Sequence, residues 1–234
     1  FGEGNLCDST ATLNLTIGVN GCTDPLATNY DIAAICDDGS CFYAMPGCTD
    51  STAYNYDPLA SIDDGSCVYS MTYVPDDNFE QALIALGYDT YLDDYVLTAS
   101  IDTVTFLNVS TSSISDLTGI EDFTDLETLL CYQNQLTSLD VSNNTALTNL
   151  DLWWNNLYSV DVSQNTVLEY LHCGNNNLVS LDVSNNTALT TLWCNTNNNL
   201  TSLDVGQNTV LEFLDCSWNQ LTSLDVSSNT ALEI

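Results

Sequence analysis

Five aspartates, Asp140, Asp161, Asp182, Asp204 and Asp225, recur inside one phrase, which the chain first spells LTSLDVSNNTAL over residues 136–147 and repeats with small changes from Leu157, Leu178, Leu200 and Leu221. If the repeats stack at the spacing of neighbouring β-strands, roughly 4.8 Å, adjacent carboxylates repel by about 0.9 kcal/mol per pair in bulk water and by more near a protein surface. Salt weakens that repulsion without abolishing it. The offset must come from hydroxyls such as those of Ser138 and Ser142, from backbone donors, from raised pKa values or from bound cations. The row is therefore a candidate divalent-cation site. A second acidic set lies earlier, where Asp31, Asp37 and Asp38 are matched by Asp57, Asp63 and Asp64 in two short loops with Gly after the acids. Such oxygen-rich loops are candidate calcium ligands, although they lack the full EF-hand set. The alternative reading of Asp-Asp-Gly-Ser is a tight turn.

None of these carboxylates has an arginine or lysine to pair with. The chain of 234 residues carries 32 Asp and Glu, no Lys or Arg and a formal charge of -32. Nucleic-acid binding is excluded, because its affinity rests on cationic side chains that displace counterions from phosphate. Anionic lipid surfaces repel such a chain. Cations, neutral glycans and other proteins are its natural partners. A hydrophobic content of 44% with regularly placed Leu and Val argues for a folded chain rather than a disordered one. There is no 18-residue apolar run and no signal peptide, the chain begins at Phe1, and its last repeat stops at Ile234. A piece of a longer, processed protein is expected, with no direct membrane insertion.

Catalysis requires a paired constellation. His172 is the single histidine, so no second imidazole shares a metal or a proton relay with it, and it reads as a surface contact residue. A glycosidase needs two carboxylates facing each other across a cleft, whereas a repeated row sets them side by side on an open surface. No spacing supports a Ser, His, Asp grouping or a phosphate loop. The expected protein is not an enzyme.

The ten cysteines fall into two groups. GCTDPLATNYDIAAICDDGSC (residues 21–41) and GCTDSTAYNYDPLASIDDGSC (residues 47–67) are one unit written twice, and equal spacing of the outer cysteines suggests equal pairing, Cys22 with Cys41 and Cys48 with Cys67. Units this small bury too little surface to hold themselves together, so a disulfide contributing roughly 3 kcal/mol matters. Cys36 and Cys7 are left as a further candidate pair. Zinc is the alternative, but the chain offers it no CxxC and no nearby histidine. Disulfides imply an oxidising, extracellular setting. Cys131, Cys173, Cys194 and Cys216 instead occupy the third apolar position of LxxLxCxxN, where Leu152 stands in the remaining copy. A cysteine that alternates with leucine at one register acts as a small buried hydrophobe.

The elements that position these residues follow from a period of 21 residues, once 22, between Leu126, Leu147, Leu168, Leu189 and Leu211. One coil of this length cannot cover its own apolar side, so coils stack into a solenoid with a continuous core. Both flanks of each coil are expected to be strand-like, the second typified by Leu139-Asp140-Val141. Asn134 with Asn144, and Asn155 with Asn165, are expected at turns, bonded to the backbone of their own and neighbouring coils. The segment 74–88 has Asp and Asn at a helix start, Phe79, Leu83 and Leu86 at helical spacing, and Gly87 as a stop. That helix is expected to cap the open end of a first irregular coil over residues 104–126. In the first flank of each coil the outward positions are Leu130, Asp151, His172, Trp193 and Asp215, with Tyr132, Trp153, Gly174, Asn195 and Ser217 beside them and Trp154 and Trp218 one step further. Tyr132, Trp153, Trp154, His172, Trp193 and Trp218 are thus candidate ligand-binding residues. Aromatic faces stack on sugar rings or anchor protein interfaces; the alternative is that several tuck beneath a neighbouring loop.

On these residues the chain resembles leucine-rich-repeat proteins of the Bacteroidota cell surface, with a cap similar to that of internalin-type repeats. The GCTD and DDGSC units resemble modules of large secreted proteins of the same bacteria, and residues 7–17 resemble the last strand of an Ig-like adhesin repeat. The fold expected is mainly β: a leucine-rich-repeat solenoid with a short helical N-terminal cap, preceded by small disulfide-stapled modules. The expected parts are an Ig-like end (1–19), two disulfide modules (20–44 and 45–70), a cap with the first coil (71–125) and the repeats (126–234). The resemblance implies a secreted or cell-surface protein, exported by type IX secretion, that adheres to a glycan or protein. The alternative is a structural subunit of an extracellular filament or coat that binds copies of itself. Thr103, in Asp-Thr-Val, resembles a short O-glycosylation motif, as do the Asp-Ser-Thr stretches at 8–10 and 50–52.

Overall fold

A computed structural model describes residues 19–233. The chain divides into two compact units, Phe1–Val68 and Tyr69–Ile234. The expected Ig-like end therefore lies outside the described residues except for Val19, and so does Cys7.

In the first unit the repeated sequence becomes a repeated structure. β1 (Val19–Gly21) runs parallel to β2 (Ala34–Asp37), and β3 (Pro46–Gly47) runs parallel to β4 (Ile62–Asp63). Cys22 is bonded to Cys41 and Cys48 to Cys67, with Cα atoms 4.7 and 4.8 Å apart, as the spacing predicts. Cys36 is exposed and has no disulfide partner among the described residues. In each module one asparagine clasps the closing segment. Asn29 donates to Ser40 O and accepts from Phe42 N, each at 2.7 Å, and Asn55 does the same with Ser66 and Val68. The modules bury little beyond cystine and alanine, at Cys22, Ala27, Cys48 and Ala53, so the disulfide stands in for a core.

The second unit opens with β5 (Met71–Tyr73), α1 (Asp77–Leu86) and β6 (Tyr95–Leu97), β6 pairing antiparallel with β5. Six parallel strands follow in sequence order, β7 (Phe106–Asn108), β8 (Thr128–Leu130), β9 (Asn149–Asp151), β10 (Tyr170–His172), β11 (Thr191–Trp193) and β12 (Phe213–Asp215). Their central leucines are in register, Leu107, Leu129, Leu150, Leu171, Leu192 and Leu214, and point into one core that runs from coil to coil. Cys131, Cys173 and Cys194 are fully buried there and Cys216 is half-buried. Burial raises all four thiols, Cys173 to about 12, which makes thiolate chemistry unfavourable.

Helix α1 covers the first coil. Asp76 caps it by accepting from the N–H groups of Asn78 and Phe79, and Gly87 ends it in the left-handed conformation. Phe79 and Leu83 are buried against the solenoid, with the Phe79 ring 6.4 Å from that of Phe123. Leu86 departs from expectation and is 46% exposed, because it lies in the last turn, beyond the coil that Leu83 covers. Glu80, with no cation to meet, is fully buried and accepts from Asp93 N and Asp94 N at 2.8 and 3.1 Å.

Two columns of asparagine join the coils. In the first, Asn155 donates to Cys131 O of the preceding coil and Leu152 O of its own, and accepts from Leu136 N; Asn176 repeats the pattern with Leu152, Cys173 and Leu157. In the second, Asn165 donates to Val141 O and Asn144 O, and Asn186 to Val162 O and Asn165 O. The second flank itself is not a strand. It is reduced to single parallel bridges, Asp140 with Asp161 and Asp182 with Asp204. The physical reason is local: each aspartate accepts from the N–H two residues on, as Asp140 does from Ser142 N at 2.9 Å, and this turns the chain after one extended residue.

Candidate recognition face

The sheet presents two outward rows. One is Asn108, Leu130, Asp151, His172, Trp193 and Asp215; the other, missed by the sequence reading, is Phe106, Thr128, Asn149, Tyr170, Thr191 and Phe213. The signal for the second row was present, since each residue lies on the other side of the buried leucine in the same period-2 pattern.

At the middle of the sheet the rows bring aromatic rings together. Trp153 meets Trp154 edge-on at 5.3 Å and lies nearly parallel to His172 at 6.0 Å; His172 and Trp193 make a T-shaped contact at 5.0 Å. Tyr170 completes the cluster, 5.6 Å from Trp193 and 6.5 Å from His172. Burial, aided by the charge of Asp151, pushes the Tyr170 hydroxyl up to about 12, so it remains protonated. On the neighbouring coil Gly174 makes room for Asn195, because a Cβ there would collide with Asn195 Oδ1.

Three of the four tryptophans are exposed, while Trp153 is half-buried. Trp154 is 57% exposed, Trp218 80% and Trp193 39%. Trp154 and Trp218 also adopt left-handed backbone, each with φ of 56°. The same backbone state recurs at Thr111, Gln133, Asn175 and Thr196. His172 differs from the expected free contact residue: its side chain is 13% exposed and its Nδ1 lies 3.3 Å from Asp151 Oδ1. It contacts Trp153, Tyr170 and Trp193 within the cluster. Tyr132 is half-buried on the coil before Trp153 and joins none of the ring contacts among the described residues.

The acidic sets are arranged differently. In the modules Asp31, Asp37 and Asp38 accept from their own i+2 N–H groups, those of Ala33, Gly39 and Ser40, and Asp57, Asp63 and Asp64 accept from Leu59, Gly65 and Ser66. Asp161, Asp182, Asp204 and Asp225 of the solenoid row accept likewise from Ser163, Ser184, Gly206 and Ser227. The hydrogen bonds from Ser163 hold Asp161 below the usual carboxylate range, overcoming the opposing push of Asp140 and Asp182. Asp140, Asp182 and Asp225 are lowered in the same way by their serines. Raised pKa values are thus not the offset at these four, and backbone and hydroxyl donors are. Among the described residues no three His, Cys, Asp or Glu side chains converge as a metal site. Thr103 is exposed on the turn before β7.

The stacked coils have counterparts among solved structures. The functional domain of InlJ from Listeria monocytogenes, which includes a cysteine ladder, matches with a TM-score of 0.55 and 39% identity over 70% of this chain and 42% of that one. The fold is a leucine-rich-repeat solenoid, similar to that of the listerial internalins. An internalin, inlF, from L. monocytogenes str. 4b F2365 matches with a TM-score of 0.60 and 27% identity over 68% of this chain and 48% of that one. In sequence, 73 residues are 41% identical to Internalin J of L. monocytogenes serotype 4b (strain F2365), which is 31% of this chain and 8% of that protein. The chain thus spans less than half the length of each of these three. No protein-family model matches it. No helix among the described residues is long and apolar enough to cross a membrane.

Proposed function

We propose that the chain is a non-enzymatic segment of an extracellular or cell-surface protein, which recognises a protein or glycan through the outward face of β8–β12. The observation that carries this reading is the ring cluster of Trp153, Tyr170, His172 and Trp193, displayed on an open sheet with Trp154 and Trp218 exposed beside it. Large exposed aromatic side chains are the residue type that anchors interfaces. The likeness to internalins and the two disulfides support a surface setting. Binding of the chain to arrays of extracellular proteins and of glycans tests the reading. Saturable binding to a ligand on either array, lost in the Trp153→Ala/Trp193→Ala variant, is expected; binding unchanged in that variant overturns it.

Assembly with copies of itself is a second reading, favoured by the modules, where Leu26, Ile32 and Tyr54 are 85%, 87% and 91% exposed. Concentration-dependent filaments in electron micrographs, lost on Ile32→Ser, would establish it.

A further inference from the structure

We propose that the cluster around Trp193 docks an arginine side chain carried by a partner protein, an inference that rests on the recognition face described above. The chain contains no Lys or Arg, so the π faces and carboxylates of this face have no strong cation of their own. What the face does with its single imidazole is informative. The His172 ring lies nearly parallel to Trp153, at an interplanar angle of 21° and a centroid distance of 6.0 Å, while its Nδ1 reaches Asp151 at 3.3 Å. A planar nitrogen-bearing group is thereby held between an indole face and a carboxylate.

One strand further along, the same ingredients stand without the planar group. Trp193 is paired in register with Asp215, is 39% exposed, and has the rings of Tyr170 and His172 in T-shaped contact with its own. Asp215 Oδ1 accepts from Ser217 N at 3.0 Å, which orients the carboxylate on the strand next to that of Trp193. A guanidinium fits this arrangement better than an ammonium: it is planar, stacks on aromatic faces and directs a fork of N–H donors at a carboxylate. The charge of -32 adds a long-range field that draws basic partners in and fades with salt. The partner is accordingly a protein segment with an exposed arginine.

The four tryptophan indole N–H signals of the whole chain provide the readout by NMR. The probes are the peptide Ac-Gly-Ser-Gly-Arg-Gly-Ser-Gly-NH2, its lysine counterpart, and its citrulline counterpart, which keeps the shape of arginine and removes the charge. The arginine peptide is expected to shift the Trp193 signal saturably, with the lysine peptide weaker and the citrulline peptide weaker by on the order of tenfold. Asp215→Asn should weaken arginine binding severalfold, while Asp161→Asn, which removes an equal charge from the other flank, should leave it within about twofold. Equal losses in those two variants would mean diffuse charge attraction and overturn the site. Equal binding of citrulline and arginine would remove the cation from the proposal, yet leave the recognition face standing if Trp193→Leu abolishes the shifts that the peptide causes in the three remaining indole signals. An unmoved Trp193 signal sinks the arginine site alone; the recognition face falls separately, through array binding that survives Trp153→Ala/Trp193→Ala.

Discussion

The aspartate of each second flank is a turn residue first. Its Oδ1 accepts from the N–H two positions on, and serine donors lower the pKa of Asp161 against the push of Asp140 and Asp182. Asparagine can accept the same bond, so Asp161→Asn is expected to melt within a degree or so of wild type, and Asp161→Ala to melt lower. A clear stabilisation by Asn at low salt would instead show that the row is under electrostatic strain. The buried cysteines make a second case at this scale. Cys173 touches only interior and has a thiol raised to about 12, so Cys173→Ser places a hydroxyl where a small hydrophobe fits and should cost about 1–3 kcal/mol. Urea unfolding followed by tryptophan fluorescence measures it. Peptide mapping without reduction decides whether Cys36 is bonded to Cys7.

At the scale of elements, the joint between cap and solenoid depends on one carboxylate. Asp76 Oδ1 takes the helix N–H groups, while Oδ2 accepts from Ser115 N, Ser115 Oγ and Asp116 N at 2.8, 2.7 and 3.0 Å. Burial alone would raise its pKa, and these donors outweigh it. Asp76→Ala should therefore cost about 2–3 kcal/mol, the sum of a lost cap and lost charged hydrogen bonds. Circular dichroism of the variant should show the loss as a lower urea midpoint. The cap was legible in the sequence because Asp76, Phe79, Leu83 and Gly87 each act locally, and the disulfides because the modules are written twice. Other features were not. β5 and β6 pair across the helix through residues with no period to reveal them, and Leu139-Asp140-Val141 alternates like a strand until the Asx turn at Ser142 ends it. His172 stood in an outward row, and only the neighbouring coils show that Trp153 and Trp193 cover it.

For the whole molecule, pH tests which electrostatic effect wins. Asp76, Asp140, Asp161, Asp182 and Asp225 are all held below the usual value of 3.8. A carboxylate lowered on folding contributes stability above its unfolded pKa and loses it as pH falls through its folded value. The melting temperature should therefore drop as the pH falls from about 5 towards 3, even though protonation relieves the self-repulsion of the charge of -32. A steady rise over that range would mean that repulsion dominates. Calcium separates from general screening in the same way. With one oxygen of each loop aspartate committed to its own turn, millimolar calcium is expected to stabilise no more than sodium chloride of equal ionic strength. Stoichiometric calcium heat from the chain would restore the aspartate loops as binding sites.

The left-handed backbone after each strand has a consequence for how this protein changes over generations. Thr111, Gln133, Trp154, Asn175, Thr196 and Trp218 share that conformation, with φ between 52° and 59°, which costs a residue with a Cβ on the order of 1–2 kcal/mol. Glycine would relieve it, so Trp154→Gly and Trp218→Gly are expected to melt no lower than wild type. The coil fixes the conformation and leaves the choice of side chain open, and six positions are filled by four different residue types. If the proposed recognition role holds, ligand preference can thus be rewritten one coil at a time, through substitutions that never disturb the leucine interior.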